Sequence, residues 1–463
     1  MAEGRVKVAI VGGGIAGLAL AAGLIKKPHL DVHVYEGSPA FKDIGAGLAL
    51  HLNAIKAMVL IGPELKQAYF DKALSMGEEH QEMTTEVILA QGPHQGRLVA
   101  ELGRAKGRKT VSRADLLEGY VSLIPREKIS FGKKLVQITE TPSDKHAVRL
   151  SFQDRTEATA DCLLGADGIH SVTRAYLLGA DHPATLPKNH DGWQIYQALV
   201  SSKEAHKQTT LKWESNVVLL PGPRGLVNCL SLSKNTILSA SVAVHGGASP
   251  TPGNEVRNGD GHSKPLDPAL YADYSDEAQQ VVRIVANNTT ASWPAGDHDH
   301  APFYARGRVA MLGDAAHTAL PFAGNGAAQA LEDAAVLDAL FAQVKCPSQI
   351  SHALAAFDEV RKPRSQAVVD MGRKFGRVYA YAEDGMHEDP ERMKAFFAEM
   401  ASFTNDFDVS GQNDAALRIF KGLNGMNGNG NGTNGINGAN GTHGTHGTHG
   451  TNGVNGVNGK LRN

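Results

Sequence analysis

The stretch VKVAIVGGGIAGLALAAGLI, residues 6–25, decides the fold class of this chain. A short apolar run ends at three glycines and is followed by small and apolar residues, which predicts a strand, a tight turn and a helix. Gly12, Gly14 and Gly17 have the G-x-G-x-x-G spacing. Glycines at this spacing let the chain turn tightly and let a pyrophosphate approach the helix N-terminus, where free N–H groups and the helix dipole favour an anion.

The next predicted strand ends at an acid. In VHVYEGS, residues 32–38, the acid is Glu36, at about the spacing at which a carboxylate reaches a ribose hydroxyl of a bound dinucleotide. An acid at this position, where 2′-phosphate-binding proteins use arginine, argues against a 2′-phosphate. The pattern predicts dinucleotide binding and leaves FAD and NAD both open.

Composition excludes several classes of protein. The 463 residues exceed what one hydrophobic core usually supports, so we expect two connected domains. The net charge of −2, without a basic block, gives no indication of a nucleic-acid partner. The glycines interrupt the first apolar stretch and no cleavage pattern follows, so we expect no stable membrane insertion. Three widely separated cysteines fit the reducing cytoplasm, and no His, Cys and carboxylate cluster has metal-ligand spacing.

The rest of the chain alternates between predicted helices and strands. The stretch LKWESNVVLLPGPRGLVNCLSLSKNTILSASVAVH predicts three antiparallel strands with a Pro/Gly hairpin, and ATADCLLGADG, residues 158–168, predicts one buried strand ending in a turn. The further predicted segments are a helix from Ser112 to before Pro125, an exposed loop at 246–265, a helix within 269–290, a strand in RVAMLGDAA and helices over 348–420.

A late motif, GDAAHTALPFAGNG at 313–326, combines one acid with small residues. Asp314 at a strand end can accept a hydrogen bond from a sugar or ribityl hydroxyl, and Pro321 stiffens the loop that follows. Gly324 and Gly326 allow close backbone approach, and the helix from Ala327 offers its N-terminus. These features suit a flat ring with a polar edge and negative charge. The alternative is a Rossmann-like turn without a ligand.

Two more motifs are informative because of their order in the chain. SRADLLEGY places Arg113 at a helix start, and GADGIHS places Asp167 in a turn after a strand. Together with the two glycine motifs they resemble the class A FAD-dependent monooxygenases. The closest resemblance within that class is to the salicylate-hydroxylase-like branch, which includes fungal enzymes that hydroxylate aromatic metabolites. The resemblance runs from about residue 5 to 380.

This resemblance implies an α/β fold with a Rossmann-like FAD-binding domain of the p-hydroxybenzoate-hydroxylase type, an antiparallel-sheet substrate domain and C-terminal helices. The expected boundaries are 1–75, 100–180 and 292–345 for the FAD-binding domain, 76–99 and 181–291 for the substrate domain, 346–423 for the helices, and 424–463 for a disordered Asn-Gly-rich tail. The implied contacts are Glu36 with the adenosine ribose, the Ala49 backbone with the flavin, Arg113 with FAD, Asp167 with FAD and NAD(P)H, Asp314 with the ribityl chain, and the Ala327 N–H with the pyrimidine edge.

The resemblance also implies the reaction. NADH or NADPH reduces the bound FAD, O2 adds to form a C4a-hydroperoxyflavin, and one oxygen atom passes to an aromatic small molecule, plausibly in fungal secondary metabolism. The expected assembly is a monomer or a homodimer without a metal. A flavin-dependent epoxidase or halogenase of the same fold, and a flavin-binding module without turnover, are the alternatives. GWQIYQ does not reproduce the Trp-x-Trp-x-Ile-Pro signature of halogenases.

Tyr196 and Gln197, in GWQIYQALV at 192–200, are the residues predicted for the substrate pocket. Many relatives carry arginine where Gln197 aligns, and some carry tyrosine where Leu220 aligns. Glutamine forms hydrogen bonds but cannot neutralise a phenolate or carboxylate. The sequence therefore favours a neutral or weakly acidic aromatic substrate at this position.

Overall fold

The computed structural model describes residues 5–40, 47–73, 75, 78–140, 147–246 and 265–428. The predicted loop at 246–265 and the predicted tail at 424–463 fall almost entirely outside these residues. The strands are β1 (Val6–Val11), β2 (Leu30–Tyr35), β3 (Gly47–Ala49), β4 (Glu82–Ile88), β5 (Leu98–Lys106), β6 (Thr110–Ser112), β7 (Ile129–Ser130), β8 (Leu135–Glu140), β9 (Val148–Phe152), β10 (Glu157–Ala160), β11 (Cys162–Gly165), β12 (Gln194–Ser201), β13 (Val217–Gly222), β14 (Gly225–Leu232), β15 (Ile237–Val244), β16 (Thr289–Pro294), β17 (Ala305–Arg306) and β18 (Val309–Met311). The helices are α1 (Ile15–Leu24), α2 (Leu52–Ile61), α3 (Pro63–Ala73), α4 (Arg113–Val121), α5 (Val172–Leu178), α6 (Ser202–Ala205), α7 (Asp276–Asn287), α8 (Asp314–His317), α9 (Gly326–Phe341), α10 (Ile350–Tyr379), α11 (Pro390–Asn405) and α12 (Val409–Gly428).

A six-stranded sheet forms the centre of the first layer. Its order is β17-β18-β11-β1-β2-β7, and every pair is parallel except β17 with β18. The strands are short and apolar because both faces of such a sheet are covered. Helices α1 and α9 pack against each other on one face, and every residue of α1 is buried.

A seven-stranded sheet carries the second layer. Its order is β16-β12-β15-β14-β13-β4-β5, and all pairs are antiparallel except β13 with β4. The predicted Pro/Gly hairpin joins β13 to β14, where Gly222 pairs with Gly225. The two sheets confirm the predicted α/β architecture. Strands β5 and β16 lie in this second sheet, although residues 100–106 and 292–294 were predicted within the FAD-binding domain. The domain boundaries stay a prediction.

One predicted strand is divided in the structure. Residues 158–168 were expected to form a single strand, but β10 pairs antiparallel with β9 in a separate three-stranded sheet, while β11 pairs parallel with β1. Asp161 lies between them, and its carboxylate accepts a hydrogen bond from the Lys7 N–H at 2.8 Å. The division was not visible locally because both halves have strand-like sequence and only their partners differ.

The C-terminal helices pack beside both sheets. Helix α9 is buried along almost its whole length and contacts α1, α2, α10 and α12. Helix α10 contacts α9 and also reaches β14 of the larger sheet, so it bridges the two layers. Within the described part of the chain, the helices are too short or too polar to cross a lipid bilayer.

Candidate active site

Four of the predicted site residues follow neighbouring strands of the six-stranded sheet. Gly12 follows β1, Glu36 follows β2, Asp167 follows β11 after one alanine, and Asp314 follows β18. Because these strands are parallel, their carboxyl ends meet at one edge of the sheet. Ligands of open α/β sheets bind at this edge.

The glycines of the first motif serve two different purposes. Gly12 has φ +107°, and a Cβ there would lie 2.1 Å from the Ala166 carbonyl oxygen. A Cβ on Gly17 would lie 2.0 Å from the Gly12 carbonyl oxygen. At Gly14 the nearest atom to a Cβ is Nη2 of Arg113, 3.7 Å away. Gly12 and Gly17 are therefore required by the chain's own packing, whereas Gly14 opens toward the cavity.

The carboxylates of Glu36 and Asp167 hold the turns around this edge. Glu36 accepts hydrogen bonds from the N–H groups of Gly13 at 2.6 Å and Ser38 at 2.7 Å. Asp167 accepts from the Thr173 N–H at 2.9 Å and from the Ser171 hydroxyl, so it is directed at the start of α5. Burial raises the pKa of Asp167, although these hydrogen bonds oppose the increase.

A cavity of about 460 Å³ lies between this edge and the seven-stranded sheet. Most of the predicted residues line it, and the flanking residues Ala166 and Gly168 line it where Asp167 does not. Gly12, Gly17 and Glu36 do not line the cavity. The predicted residues that line the cavity are Gly14, Ala49, Arg113, Gln197, Asp314, Pro321, Gly324, Gly326 and Ala327.

Two local pairings bring distant motifs to the cavity. Strand β3 pairs with β6, so Ala49 lies opposite Thr110 and close to the start of α4. Ser112 caps that helix, because its hydroxyl accepts the Asp115 N–H at 3.0 Å, and Arg113 is thereby placed at the rim. The chain reverses at Gly324, which has φ +59°, before α9 begins at Gly326.

Buried charges on α9 hold the late glycine motif from behind. Asp333 accepts hydrogen bonds from the Gly313 N–H at 2.8 Å and from Nε2 of His317 at 2.6 Å. Arg361 on α10 contacts the same carboxylate through Nε at 2.7 Å. Although burial opposes it, the neighbouring His317 and Arg361 lower the pKa of Asp333 to about 2. The short helix α8, which begins at Asp314, is thus fixed at both ends by an ionised acid with no exposed surface.

A second network holds the loop at Asn325. The Asn53 amide donates to Oδ1 of Asn325 at 3.1 Å and to Oε1 of Glu332 at 2.7 Å. Arg361 and Arg364 contact the same Glu332 carboxylate. These residues cannot be recognised from the sequence, because acids in an alanine-rich helix and arginines in a polar helix are ordinarily solvent-exposed.

The two predicted substrate residues lie on opposite faces of β12. Gln197 lines the cavity with Ile195, and its amide donates to the Ser239 hydroxyl at 3.3 Å. Tyr196 is buried on the other face, in a cluster with Tyr271 and Tyr274. Successive side chains of a strand alternate between faces, so these neighbours cannot both face the cavity. The position of Tyr196 gives no support to its predicted substrate contact.

The cavity wall beside β4 and β5 contains a buried cation that the sequence did not indicate. Arg108 is fully buried, lines the cavity and donates to the carbonyl groups of Leu102 and Gly103 and to the Thr85 hydroxyl. Burial lowers the pKa of Arg108 to about 10, so it stays charged at neutral pH. In the sequence it lies among Arg104, Lys106 and Lys109, a pattern typical of a solvated strand and turn.

A family model described as an FAD binding domain matches residues 5–372. The chain belongs to this family. It is 34% identical to 6-methylsalicylate 1-monooxygenase of Aspergillus terreus, over 90% of this chain and 92% of that one. It is 30% identical to salicylate hydroxylase of Pseudomonas putida, over 81% and 86%. A solved structure of salicylate hydroxylase with substrate is 27% identical, with a TM-score of 0.73 over 89% of this chain and 98% of that one.

These findings confirm the predicted class, an FAD-dependent aromatic monooxygenase. The fold of Klebsiella pneumoniae HpxO with FAD and uric acid is also similar, with a TM-score of 0.65 at 23% identity, over 89% of this chain and 97% of that one. The residues of the monooxygenase fit the cofactor. Gly14 leaves open space, and the N-termini of α1 and α9 have no acid in the first turn and no capping side chain. Both termini face the cavity with free N–H groups, which suits an anionic cofactor.

The cofactor roles of individual residues stay predictions, and Asp314 offers a direct test. Its side chain lies at the cavity mouth, so we expect Asp314→Ala to weaken FAD binding about 10-fold or more, through loss of a hydrogen bond to a charged group. Fluorescence titration of the apoprotein with FAD measures the change. Asp71→Ala, on the exposed face of α3, is the control and should bind FAD as the wild type does. Equal affinity of both variants would contradict the role of Asp314.

Proposed function

We propose that this monooxygenase hydroxylates a one-ring hydroxybenzoate. The observation that carries the proposal is one continuous cavity, which runs from the glycine motifs to polar groups on the seven-stranded sheet. Its volume of about 460 Å³ would have to hold the flavin ring as well as the substrate. The space left suits a small aromatic compound. The names of the relatives, 6-methylsalicylate 1-monooxygenase and salicylate hydroxylase, support a hydroxybenzoate.

The chain's own residues would bind and orient FAD and the substrate, and they would exclude water from the reacting atoms. Gly14, Arg113 and Asp314 would hold the phosphates and the sugar chain of FAD, and the loop from Pro321 to Ala327 would lie against its ring. Bound FAD, once reduced by NADH or NADPH, would activate O2, which supplies the oxygen atom that is transferred to the substrate. Apolar side chains of the sheet and of α10 cover the rest of the cavity and would keep water from the reacting atoms, namely Ile195, Leu219, Leu226, Met371 and Phe375.

The purified holoenzyme tests this function. We expect salicylate or 6-methylsalicylate to stimulate NAD(P)H oxidation, with hydrogen peroxide measured in parallel and the product analysed for oxygen from ¹⁸O₂. Stimulation that yields only peroxide would make the compound an effector and would contradict the assignment. Product that forms only with chloride would indicate halogenation. The monomeric or homodimeric state and the cytoplasmic location remain predictions, which size-exclusion chromatography and cell fractionation test.

Variants of Gln197 and Tyr196 test which face of β12 contacts the substrate. Gln197→Ala removes an amide from the cavity wall, so we expect the KM for the substrate to rise about 2- to 10-fold, the value of one net hydrogen bond. Tyr196→Phe changes the opposite face and is expected to leave KM within 2-fold, about 0.4 kcal/mol. Steady-state kinetics with product quantification measures both. A larger effect at Tyr196 than at Gln197 would place the substrate elsewhere.

A further inference from the structure

Arg108 occupies the cavity wall beside the glycine loop of the predicted flavin site. It lies between β5 and β6 and is fully buried. Its Nη1 donates to the carbonyl oxygens of Leu102 at 3.0 Å and Gly103 at 3.1 Å, and its Nη2 donates to Oγ1 of Thr85 at 2.8 Å. These three bonds orient the guanidinium and leave two of its five N–H donors unused.

The charge of Arg108 has no carboxylate counter-ion among the residues that the structure describes. Across the described parts of the chain, no carboxylate is paired with it, and its buried Nε has no hydrogen-bond partner. A buried cation without a partner is costly for the folded state, and arginine's planar donors match the two oxygens of a carboxylate. By contrast, Arg361 and Arg364, the buried arginines behind the glycine loop, both contact Glu332. Arg174, equally buried, donates to carbonyl oxygens alone, but it does not line the cavity. Arg108 does line the cavity, so an anion bound there would balance its charge.

A neighbouring histidine, His51, shows where Arg108 lies relative to the glycine loop. At Gly103, a Cβ would lie 2.4 Å from Nδ1 of His51 and 3.4 Å from Nη1 of Arg108, so both side chains meet over this glycine. A Cβ at Gly324 would lie 3.4 Å from Nε2 of His51. The histidine therefore bridges the space between Arg108 and the glycine loop. An anion at Arg108 would sit near the predicted flavin ring, where a substrate must lie.

We propose that Arg108 binds the carboxylate of the aromatic substrate and determines the preference of the enzyme for acids over neutral phenols. The inference rests on the proposed function and names the residue that recognises the carboxylate of the substrate. It also accounts for a neutral glutamine at position 197, because the charge of the substrate is balanced at β4 and β5, near the other end of the same sheet. The expectation that Gln197 favours a neutral or weakly acidic compound then applies only to the part of the ring that faces β12.

The test compares an acid with its neutral amide. Holoenzymes of wild type, Arg108→Gln and Arg108→Lys are titrated with 2-hydroxybenzoate and 2-hydroxybenzamide, and binding is followed by the change in flavin absorbance. We expect wild type to prefer the acid, Arg108→Gln to lose about 30-fold or more of that preference, and Arg108→Lys to retain part of it. Arg104→Gln removes an exposed charge from the same hairpin, where Arg104 contacts Glu101, and is expected to keep the wild-type preference.

Flavin content and thermal unfolding show whether each variant is folded, and Arg108→Lys decides the result if Arg108→Gln does not fold. An unchanged acid-to-amide ratio in the folded variants would overturn the role of Arg108 while leaving the monooxygenase function intact. Loss of FAD with an unchanged ratio would assign Arg108 to the cofactor and would likewise overturn it. Turnover of neutral phenols alone by wild type would overturn this inference but not aromatic hydroxylation. Absence of binding and turnover with every aromatic acid and phenol would overturn the proposed function as well.

Discussion

Gly12→Ala is expected to give a protein that does not reach a stable folded state, whereas Gly14→Ala is expected to fold and fail to hold FAD. At position 12 a Cβ would lie 2.1 Å from the Ala166 carbonyl oxygen, and φ is +107°. Both the clash and the backbone strain act on the chain itself, and together they cost about 3 kcal/mol or more. At position 14 a Cβ meets only Nη2 of Arg113, at 3.7 Å, so the protein tolerates it and the cofactor phosphates would not.

Urea unfolding followed by circular dichroism measures stability, and the absorbance spectrum measures bound flavin. Gly422→Ala is the matched control, because a Cβ on this α12 residue meets no atom within 4 Å. It should keep its flavin and be as stable as wild type or slightly more so, as alanine favours helix. Full FAD occupancy in Gly14→Ala would show that the pyrophosphate does not lie against this turn.

Arg361→Met is expected to destabilise the monooxygenase by about 3–5 kcal/mol, because it leaves buried carboxylates without their cation. Arg361 is fully buried and contacts Glu332 at 2.6 Å and Asp333 at 2.7 Å. Asp333 in turn holds the Gly313 N–H at the start of the loop that carries Asp314. Loss of the Arg361 guanidinium should therefore weaken FAD binding as well as lower the free energy of unfolding.

The control for this prediction lies on the same helix. Arg377 is half exposed and contacts Glu383 at 3.2 Å, so Arg377→Met is expected to cost less than about 1 kcal/mol, as is usual for a surface ion pair. Urea unfolding curves of both variants, with flavin release recorded in parallel, provide the comparison. Equal effects at the two positions would mean that the buried network does not support the loop.

Local sequence was sufficient to predict the elements to which we assign the cofactor. The alternation of apolar runs and glycines predicted β1, the turn at Gly12 and α1, since each is formed by residues close in the chain. The parallel order of β1, β2, β11 and β18 then brings Gly12, Glu36, Asp167 and Asp314 to one edge. The order of the motifs also predicted the family, because four motifs in a fixed order are far more specific than a single glycine pattern.

Prediction was weaker where contact partners are distant in the chain. Residues 158–168 have strand-like sequence throughout, and only pairing with β9 or β1 divides them. Tyr196 and Gln197 could each have faced the cavity, and the register of β12 in its sheet places Gln197 there.

The sequence by itself determined the α/β class, the FAD-binding motifs and the type of chemistry, because these depend on short-range patterns. Only the tertiary structure decided which charged side chains are buried and what they contact. Glu332 and Asp333 pair with Arg361 across helices, whereas Arg108, equally buried, has no ion pair within the described ranges. The cost of burying a charge depends on its neighbours in space, and the amino-acid order alone does not specify them.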